Sequence, residues 1–130
     1  MLRGEDTMQI TSFNPLILAA DPESTIKLFE DLGFKRRHTK EEVEGRDDTV
    51  GVRMKHENGF YVDIVSAPNT KQDSMTIRMN VRDFDEAKAL LEEHGFTPSV
   101  QGEATDKSMR SIGMFSPTGF SFSLVEHIRH

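Results

Sequence analysis

The sequence contains no cysteine, no tryptophan and a single tyrosine, and it has no long apolar run. Without cysteine, disulfides, thiolate zinc sites and iron–sulfur clusters are excluded, and a cytoplasmic location is expected. The longest uncharged apolar run covers residues 15–20, whereas a membrane-spanning helix needs about 20 residues. The start of the chain is polar and shows no signal peptide. We therefore expect a protein that has no membrane partner.

The chain also has fewer basic residues than acidic residues. The chain has 16 Lys and Arg residues against 22 Asp and Glu residues, and its formal net charge is −6. Dedicated nucleic-acid binders carry a basic footprint that this composition lacks. A length of 130 residues with a hydrophobic share of 35% suits one compact domain with a modest core.

The chain repeats itself, which indicates a duplicated module of roughly 60 residues. The segment 21–34 resembles the segment 83–96, and both end in Gly-Phe. The segment 59–65 then resembles the segment 119–125, in the same order along the chain. Two ordered matches indicate duplication more strongly than either match alone.

Each module predicts a strand, a helix and three further strands. Asp21 and Asp83 are suited to cap helices, Pro22 suits the first helical position, and Gly33 and Gly95 are suited to end them. The predicted apolar stripes comprise Ile26, Leu28, Phe29 and Leu32 in the first helix, and Ala87, Leu90 and Leu91 in the second. The predicted strands are 10–20, 34–42, 48–56 and 59–66, then 75–82, 96–102, 108–115 and 119–127, with a loop at 104–107.

This order predicts an α+β fold of tandem βαβββ modules, with mixed sheets and the helices on their outer face. The predicted divisions are a tail at 1–9, a first module at 10–66, a linker at 67–73 and a second module at 74–130. Together the modules are expected to form one compact domain.

The ordered motifs resemble the vicinal oxygen chelate superfamily, which includes glyoxalase I, bleomycin-resistance proteins and extradiol dioxygenases. The resemblance rests on residues 16–21 leading to residues 29–34, and on residues 115–119 leading to residues 122–126. It implies curved sheets that form a cleft, and a homodimer in which the cleft is shared.

The resemblance also implies where a metal would be bound. Counting from the matched residues, the family's ligand positions are occupied here by Asn14, Asp63, Thr76 and Ser123. Only Asp63 is a good ligand for a catalytic transition metal. We therefore predict no metal and no cofactor.

Strand alternation assigns further side chains to the predicted cleft. Val52 and Met54 look core-facing, so Arg53 is expected in the cleft beside Tyr61 and Asp63. The predicted ligand-binding residues are Asn14, Leu16, Arg53, Tyr61, Asp63, Thr76, Arg78, Phe115 and Ser123. Two arginines favour an anionic ligand, because guanidinium groups bind carboxylates in a bidentate manner. The alternative is that Arg78 pairs with Asp63 and fills the cleft.

These features predict a metal-independent, small-molecule binding protein of the glyoxalase/bleomycin-resistance type. An alternative is a divergent lyase, isomerase or dioxygenase-like enzyme, in which Asp63 is the general base or the sole protein carboxylate on a metal, and Tyr61 the proton donor. A third possibility is a structural or regulatory protein whose cleft is unused.

Two smaller features have competing interpretations. The run of Lys35, Arg36 and Arg37 suits a charged sheet edge that discourages aggregation, or a phosphate site. His38 and His56 suit solvated positions, or a metal site if their strands pair.

Overall fold

The computed structural model of the protein describes residues 9–37, 51–67 and 70–128. The chain forms two compact units. The first unit is Asn14–Thr76, and the second is Ile77–His130 together with the residues up to Phe13. The elements are β1 (Ile10–Ala19), α1 (Pro22–Asp31), β2 (Phe34–Arg36), β3 (Gly51–His56), β4 (Tyr61–Ser66), β5 (Ser74–Val81), α2 (Phe84–Glu93), β6 (Thr97–Pro98), β7 (Ala104–Thr105), β8 (Met109–Phe115) and β9 (Ser121–His127).

The first unit is a mixed sheet with one helix. Its strands lie in the order β2, β3, β4, β1, and β1 runs parallel to β4 while the other pairs are antiparallel. The register pairs Leu16 and Arg53 with Asp63 from either side. These three side chains therefore point to the same face of the sheet.

Helix α1 begins and ends where its sequence predicts. The Ser24 N–H donates to Oδ1 of the N-cap Asp21 at 3.3 Å, and Pro22 opens the helix. Gly33 follows the helix with a φ of +101°, a conformation that residues with a Cβ avoid. Ile26 is buried, and it packs with Val52, Met54 and Ile64 in the core beneath α1.

The predicted apolar stripes were only partly right. Leu28 and Leu32 are more than half exposed, and Leu90 is also exposed. At about 100° per residue, Leu28 points well away from Ile26 and Phe29, so these residues cannot share one buried stripe. The second helix instead buries Phe84, at its first position, with Ala87 and Leu91.

The second unit has the same architecture. Its strands lie in the order β5, β9, β8, β6, and β7 also pairs with β8. Strands β5 and β9 are parallel, and the remaining pairs are antiparallel. Its core contains residues of α2, β5, β8 and β9, including Met79, Phe84, Met114 and Leu124.

Two predictions for the second unit were wrong. The predicted strand 96–102 is reduced to the two residues of β6, because the Gly102 N–H donates to the Ser99 carbonyl and closes a turn. The predicted loop at 104–107 contains strand β7, which pairs with Ser111 and Arg110 of β8.

The predicted α+β class and the βαβββ order of each module are confirmed. Both helices and the long strands lie within a few residues of their predicted positions. The predicted strand residues 38–42 and 48–50 lie outside the described residues. Within the described ranges, no helix has the length and apolar character needed to cross a membrane.

Candidate ligand-binding site

The face of the first unit's sheet that points away from α1 carries most of the predicted site. Residues that alternate with the buried core positions of β1, β3 and β4 project there. Among the described residues this face holds Asn14, Leu16, Leu18, Arg53, Lys55, Tyr61 and Asp63. Five of the nine predicted ligand-binding residues thus lie in one unit and on one face.

A buried carboxylate forms the centre of this face. Asp63 is only 3% exposed, and its Oδ2 accepts a hydrogen bond of 2.7 Å from the Asn14 Nδ2. The Arg53 Nη1 lies 3.5 Å from the same oxygen, and the Arg53 Nη2 donates to the Asn14 Oδ1 at 3.2 Å. We call Asn14, Arg53 and Asp63 the Asp63 cluster. Each of its members contacts the other two, so the cluster is preorganised.

Tyr61 lies beside the Asp63 cluster and is surrounded by cations. The Arg53 guanidinium lies 4.3 Å from the centre of the Tyr61 ring, and Arg37 and Lys55 lie at 5.6 and 5.4 Å. The Arg37 Nη1 donates to the Tyr61 hydroxyl at 3.0 Å. Such cations over an aromatic face are attracted by its quadrupole.

The environment of Tyr61 lowers its pKa. Desolvation acts to raise the pKa, but the hydrogen bond with Lys55 and the charges of Arg37, Lys55 and Arg53 outweigh it. Positive neighbours stabilise the phenolate relative to the phenol, which gives the shift its direction. Tyr61 is thus a better proton donor than an ordinary tyrosine.

Three predicted site residues lie in the second unit. Arg78 of β5 pairs in register with Ser123 of β9, so the two share a face. Gly113 pairs with Ser123, and Phe115 lies two residues further along the same face of β8. The Arg78 Nε donates to the Asn80 Oδ1 at 2.9 Å. Thr76, half-buried, lies on β5 at the end of the first unit. The predicted pairing of Arg78 with Asp63 stays a prediction.

The donor set does not fit a catalytic metal. Of the four family positions only Asp63 supplies a carboxylate, and its Oδ2 already accepts from Asn14 and faces the positive charge of Arg53. No group of three His, Asp or Glu residues that could hold a metal occurs among residues 9–37, 51–67 and 70–128. His56 lies edge-on to the Phe34 ring and beside Phe60, and its Nδ1 accepts from the Asn58 N–H. His38 lies outside the described residues.

Sequence reasoning missed the contribution of Arg37 and Lys55. Both were assigned to strands, but neither was placed beside Tyr61. Alternation along β3 places Lys55 on the same face as Arg53, so its position could have been predicted, and the register pairs it with Tyr61. The position of Arg37 could not have been predicted in this way. It follows from the pairing of its segment with β3, in which the Arg37 N–H donates to the Arg53 carbonyl.

Comparisons with known proteins identify the fold. No family model matches the sequence, and no curated protein matches it. Solved structures do match. Methylmalonyl-CoA epimerase from Mycobacterium tuberculosis gives a TM-score of 0.70 at 16% identity, covering 99% of this chain and 94% of that one. A glyoxalase/bleomycin resistance protein/dioxygenase superfamily member from Vibrio splendidus 12B01 gives 0.60 at 14% identity, covering 92% of this chain and 100% of that one.

The protein therefore has the fold of the vicinal oxygen chelate superfamily. A further methylmalonyl-CoA epimerase supports this, with a TM-score of 0.65 at 15% identity over 93% of this chain and 98% of that one. The expected resemblance is confirmed at the level of fold. Likeness at such low identity carries no specific activity to this chain.

Proposed function

We propose that the protein is a metal-independent, small-molecule binding protein, and that its ligand is bound on the face of the Asp63 cluster. The observation that carries this proposal is the engagement of Asp63 by Asn14 at 2.7 Å and by Arg53 at 3.5 Å. The Asp63 oxygen that a metal would need is already engaged by Asn14 and Arg53, and the positive charge of Arg53 would repel a bound cation. A rigid polar centre beside Tyr61 and Leu16 is typical of small-molecule sites.

A metal titration tests the first half of the proposal. Thermal unfolding would be measured with EDTA and with nickel, zinc, manganese and iron(II), alongside elemental analysis of the purified protein. We expect no stoichiometric metal and no change in Tm. A raised Tm that Asp63→Asn abolishes would show that Asp63 holds a metal after all, because only a ligand of the native state stabilises it.

Ligand titrations test the second half. The side-chain amide of Asn14 would be followed by NMR while benzoate, malonate and small aromatic amines are added in the presence of EDTA. We expect at least one class to shift that amide saturably, and Arg53→Gln to weaken the effect. Arg82→Gln is the matched control, since Arg82 is an exposed arginine of the second unit. A panel that leaves the Asn14 amide unmoved would favour the unused-cleft alternative.

The second candidate is an enzyme in which Asp63 accepts a proton and Tyr61 donates one. The lowered pKa of Tyr61 favours it, because an acidified phenol is a better general acid. The arrangement of Asp63 disfavours it, because its Oδ2 is already engaged by Asn14 and Arg53 and is not open to a substrate proton. Tyr61→Phe and Asp63→Asn would abolish turnover while retaining ligand binding if this candidate holds, and would leave ligand chemically unchanged in wild type and variants alike if it does not.

A further inference from the structure

The basic run at the end of α1 is divided between two faces of the sheet. Arg36 points to the α1 side, where its guanidinium forms ion pairs with Glu30 at 3.5 Å and Glu23 at 3.9 Å. Lys35 and Arg37 flank it in sequence and therefore point to the opposite face, which is the face of Tyr61. The side chain of Arg36 thus lies on one face of the sheet, and those of Lys35 and Arg37 lie on the other.

Three of the cations on the Tyr61 side have no carboxylate partner among the residues that the structure describes. In the part of the chain that the structure describes, no acidic side chain lies within ion-pair distance of Lys35, Arg37 or Lys55. Lys35 and Lys55 are direct cross-strand partners, an arrangement of like charges that destabilises a sheet. Arg53 differs, because Asp63 balances its charge. We call Lys35, Arg37 and Lys55 the cationic edge.

The cationic edge borders an open groove. The groove has a volume of about 370 Å³, and it is lined by Gly33, Lys35, Arg36, Arg37, Lys55, His56 and Glu57. Among these cations, Arg36 is already paired with Glu23 and Glu30, whereas the three cations of the cationic edge are not paired in this way within the described ranges. A group of the size of a phosphate has room there. Arg37, which lines the groove, donates to the Tyr61 hydroxyl at 3.0 Å, and this bond connects the groove to Tyr61.

We propose that the cationic edge and the Tyr61 hydroxyl bind a phosphoryl group of the small-molecule ligand. A phosphoryl group carries a charge of about −1.5 to −2 and three acceptor oxygens, which matches several converging cations. A single carboxylate needs only one arginine, and three cations that no described carboxylate balances exceed that requirement. The proposal rests on the proposed function, since the same sheet face would hold the rest of the ligand. It adds the chemical class of the ligand and the residues that recognise it.

The protein carries its own reporter for this site. Tyr61 is the single tyrosine of a chain without tryptophan, so its fluorescence reports the surroundings of the cationic edge alone. Inorganic pyrophosphate would be titrated against the full chain at constant ionic strength, with citrate as a polycarboxylate of similar charge. We expect a saturable change with pyrophosphate at concentrations at least about tenfold lower than with citrate. Equal responses to both anions, or none to pyrophosphate, would overturn the assignment of a phosphoryl group.

Charge-matched variants locate the site. Lys55→Gln and Arg37→Gln are each expected to weaken pyrophosphate binding about tenfold, since each removes a charge-assisted hydrogen bond. Lys27→Gln removes a positive charge from α1 of the same unit, where Lys27 pairs with Asp31 and does not line the groove, and is expected to change binding by less than about twofold. If Lys27→Gln weakens binding as much as Arg37→Gln, the interaction is general attraction to positive charge and the site does not exist.

A third variant tests binding without altering the surroundings of the Tyr61 ring. Among the described cations, Arg37, Arg53 and Lys55 lie over the Tyr61 ring and Lys35 does not, so Lys35→Gln should weaken pyrophosphate binding without altering the fluorescence of the free protein. Failure of the phosphoryl proposal is distinguishable from failure of the proposed function. The organic probes would still shift the Asn14 amide if only the cationic edge has been misassigned.

Discussion

At the residue scale, the most informative side chain is Asp63. It is buried, and it holds Asn14 and Arg53 in place through its Oδ2. Removing one partner of such a group leaves the others unsatisfied, which costs more than the interaction itself contributes. The carboxylate therefore has a structural role that does not depend on any ligand.

Asp63→Ala is expected to lower the free energy of unfolding by about 2 kcal/mol, because Asn14 and Arg53 lose a buried acceptor. Asp63→Asn keeps an acceptor oxygen and should lose less. Urea unfolding measures both, with Asp31→Ala as the control, since Asp31 forms an exposed pair with Lys27. An Asp63→Ala variant as stable as Asp31→Ala would contradict the geometry of the cluster.

Tyr61 offers a second test at this scale. Its phenol is expected to ionise below the ordinary pKa of 10.0, because Lys55, Arg37 and Arg53 stabilise the phenolate. Tyrosinate absorbance measures this directly, because no other tyrosine is present. Lys55→Gln should move the pKa back towards 10.0. A pKa that does not respond to Lys55→Gln would mean that Lys55 lies further from the phenol.

At the element scale, Arg110 of β8 contacts two other segments of the second unit. Its guanidinium forms ion pairs with Glu103 at 2.9 Å and with Asp85 at 3.0 Å, and it lies 4.2 Å from the centre of the Phe84 ring. One side chain thus links β8, the start of α2 and the segment before β7. The hydrogen bonds from Arg110 and Thr105, opposed by desolvation, lower the pKa of Glu103 to about 2.

This depressed pKa predicts an acid dependence. The contribution of Glu103 to stability is present above its ordinary pKa of 4.5 and is lost as the pH falls towards about 2. Solvent screening reduces its size, because both side chains are partly exposed. Arg110→Gln should flatten the pH dependence of the unfolding free energy over this range. Arg82→Gln should leave the dependence intact, and a flattening by both variants would argue against a specific role of Arg110.

The elements themselves were largely predictable, for a local reason. Asp21, Pro22 and Gly33 bound α1 through interactions within one helical turn, and alternation in β8 matches the burial of Ile112 and Met114. In β5 the alternation fails, because Met75 is exposed and Asn80 is buried. Strand β7 was not predictable, because its two residues are strand only by pairing with β8. Helical geometry alone predicts that Leu28 and Leu32 lie away from the buried side of α1. The predicted stripe was wrong because it assigned every apolar residue of the helix to the core.

At the scale of the whole molecule, the charge distribution opposes the net charge. The chain has a net charge of −6, yet one edge of the first unit presents three cations without carboxylate partners among the described residues. Net charge governs solubility and long-range attraction, whereas binding depends on the local arrangement. The cationic edge is the local feature on which the proposal of a phosphoryl-bearing ligand rests.

The resemblance to the superfamily further predicts a homodimer. Light scattering during size-exclusion chromatography should give about twice the 14.8 kDa of one chain at micromolar concentration. A mass of one chain would rule out a site shared between subunits. The Asp63 cluster would be unaffected by that result, because all of its members lie in the first unit.

The sequence alone determined the α+β class, the duplication and both helices, because capping and periodicity are local properties. It also determined that only one of the four family ligand positions carries a carboxylate, because this depends on residue identity. It also placed Arg53, Tyr61 and Asp63 on one face, since alternation along a strand depends only on position. Tertiary structure alone decided that Asn14 and Arg53 engage the same oxygen of Asp63, and that Arg37 meets Tyr61. Those contacts join residues 10 to 49 positions apart, and such contacts follow from strand order and register, which side-chain periodicity does not specify.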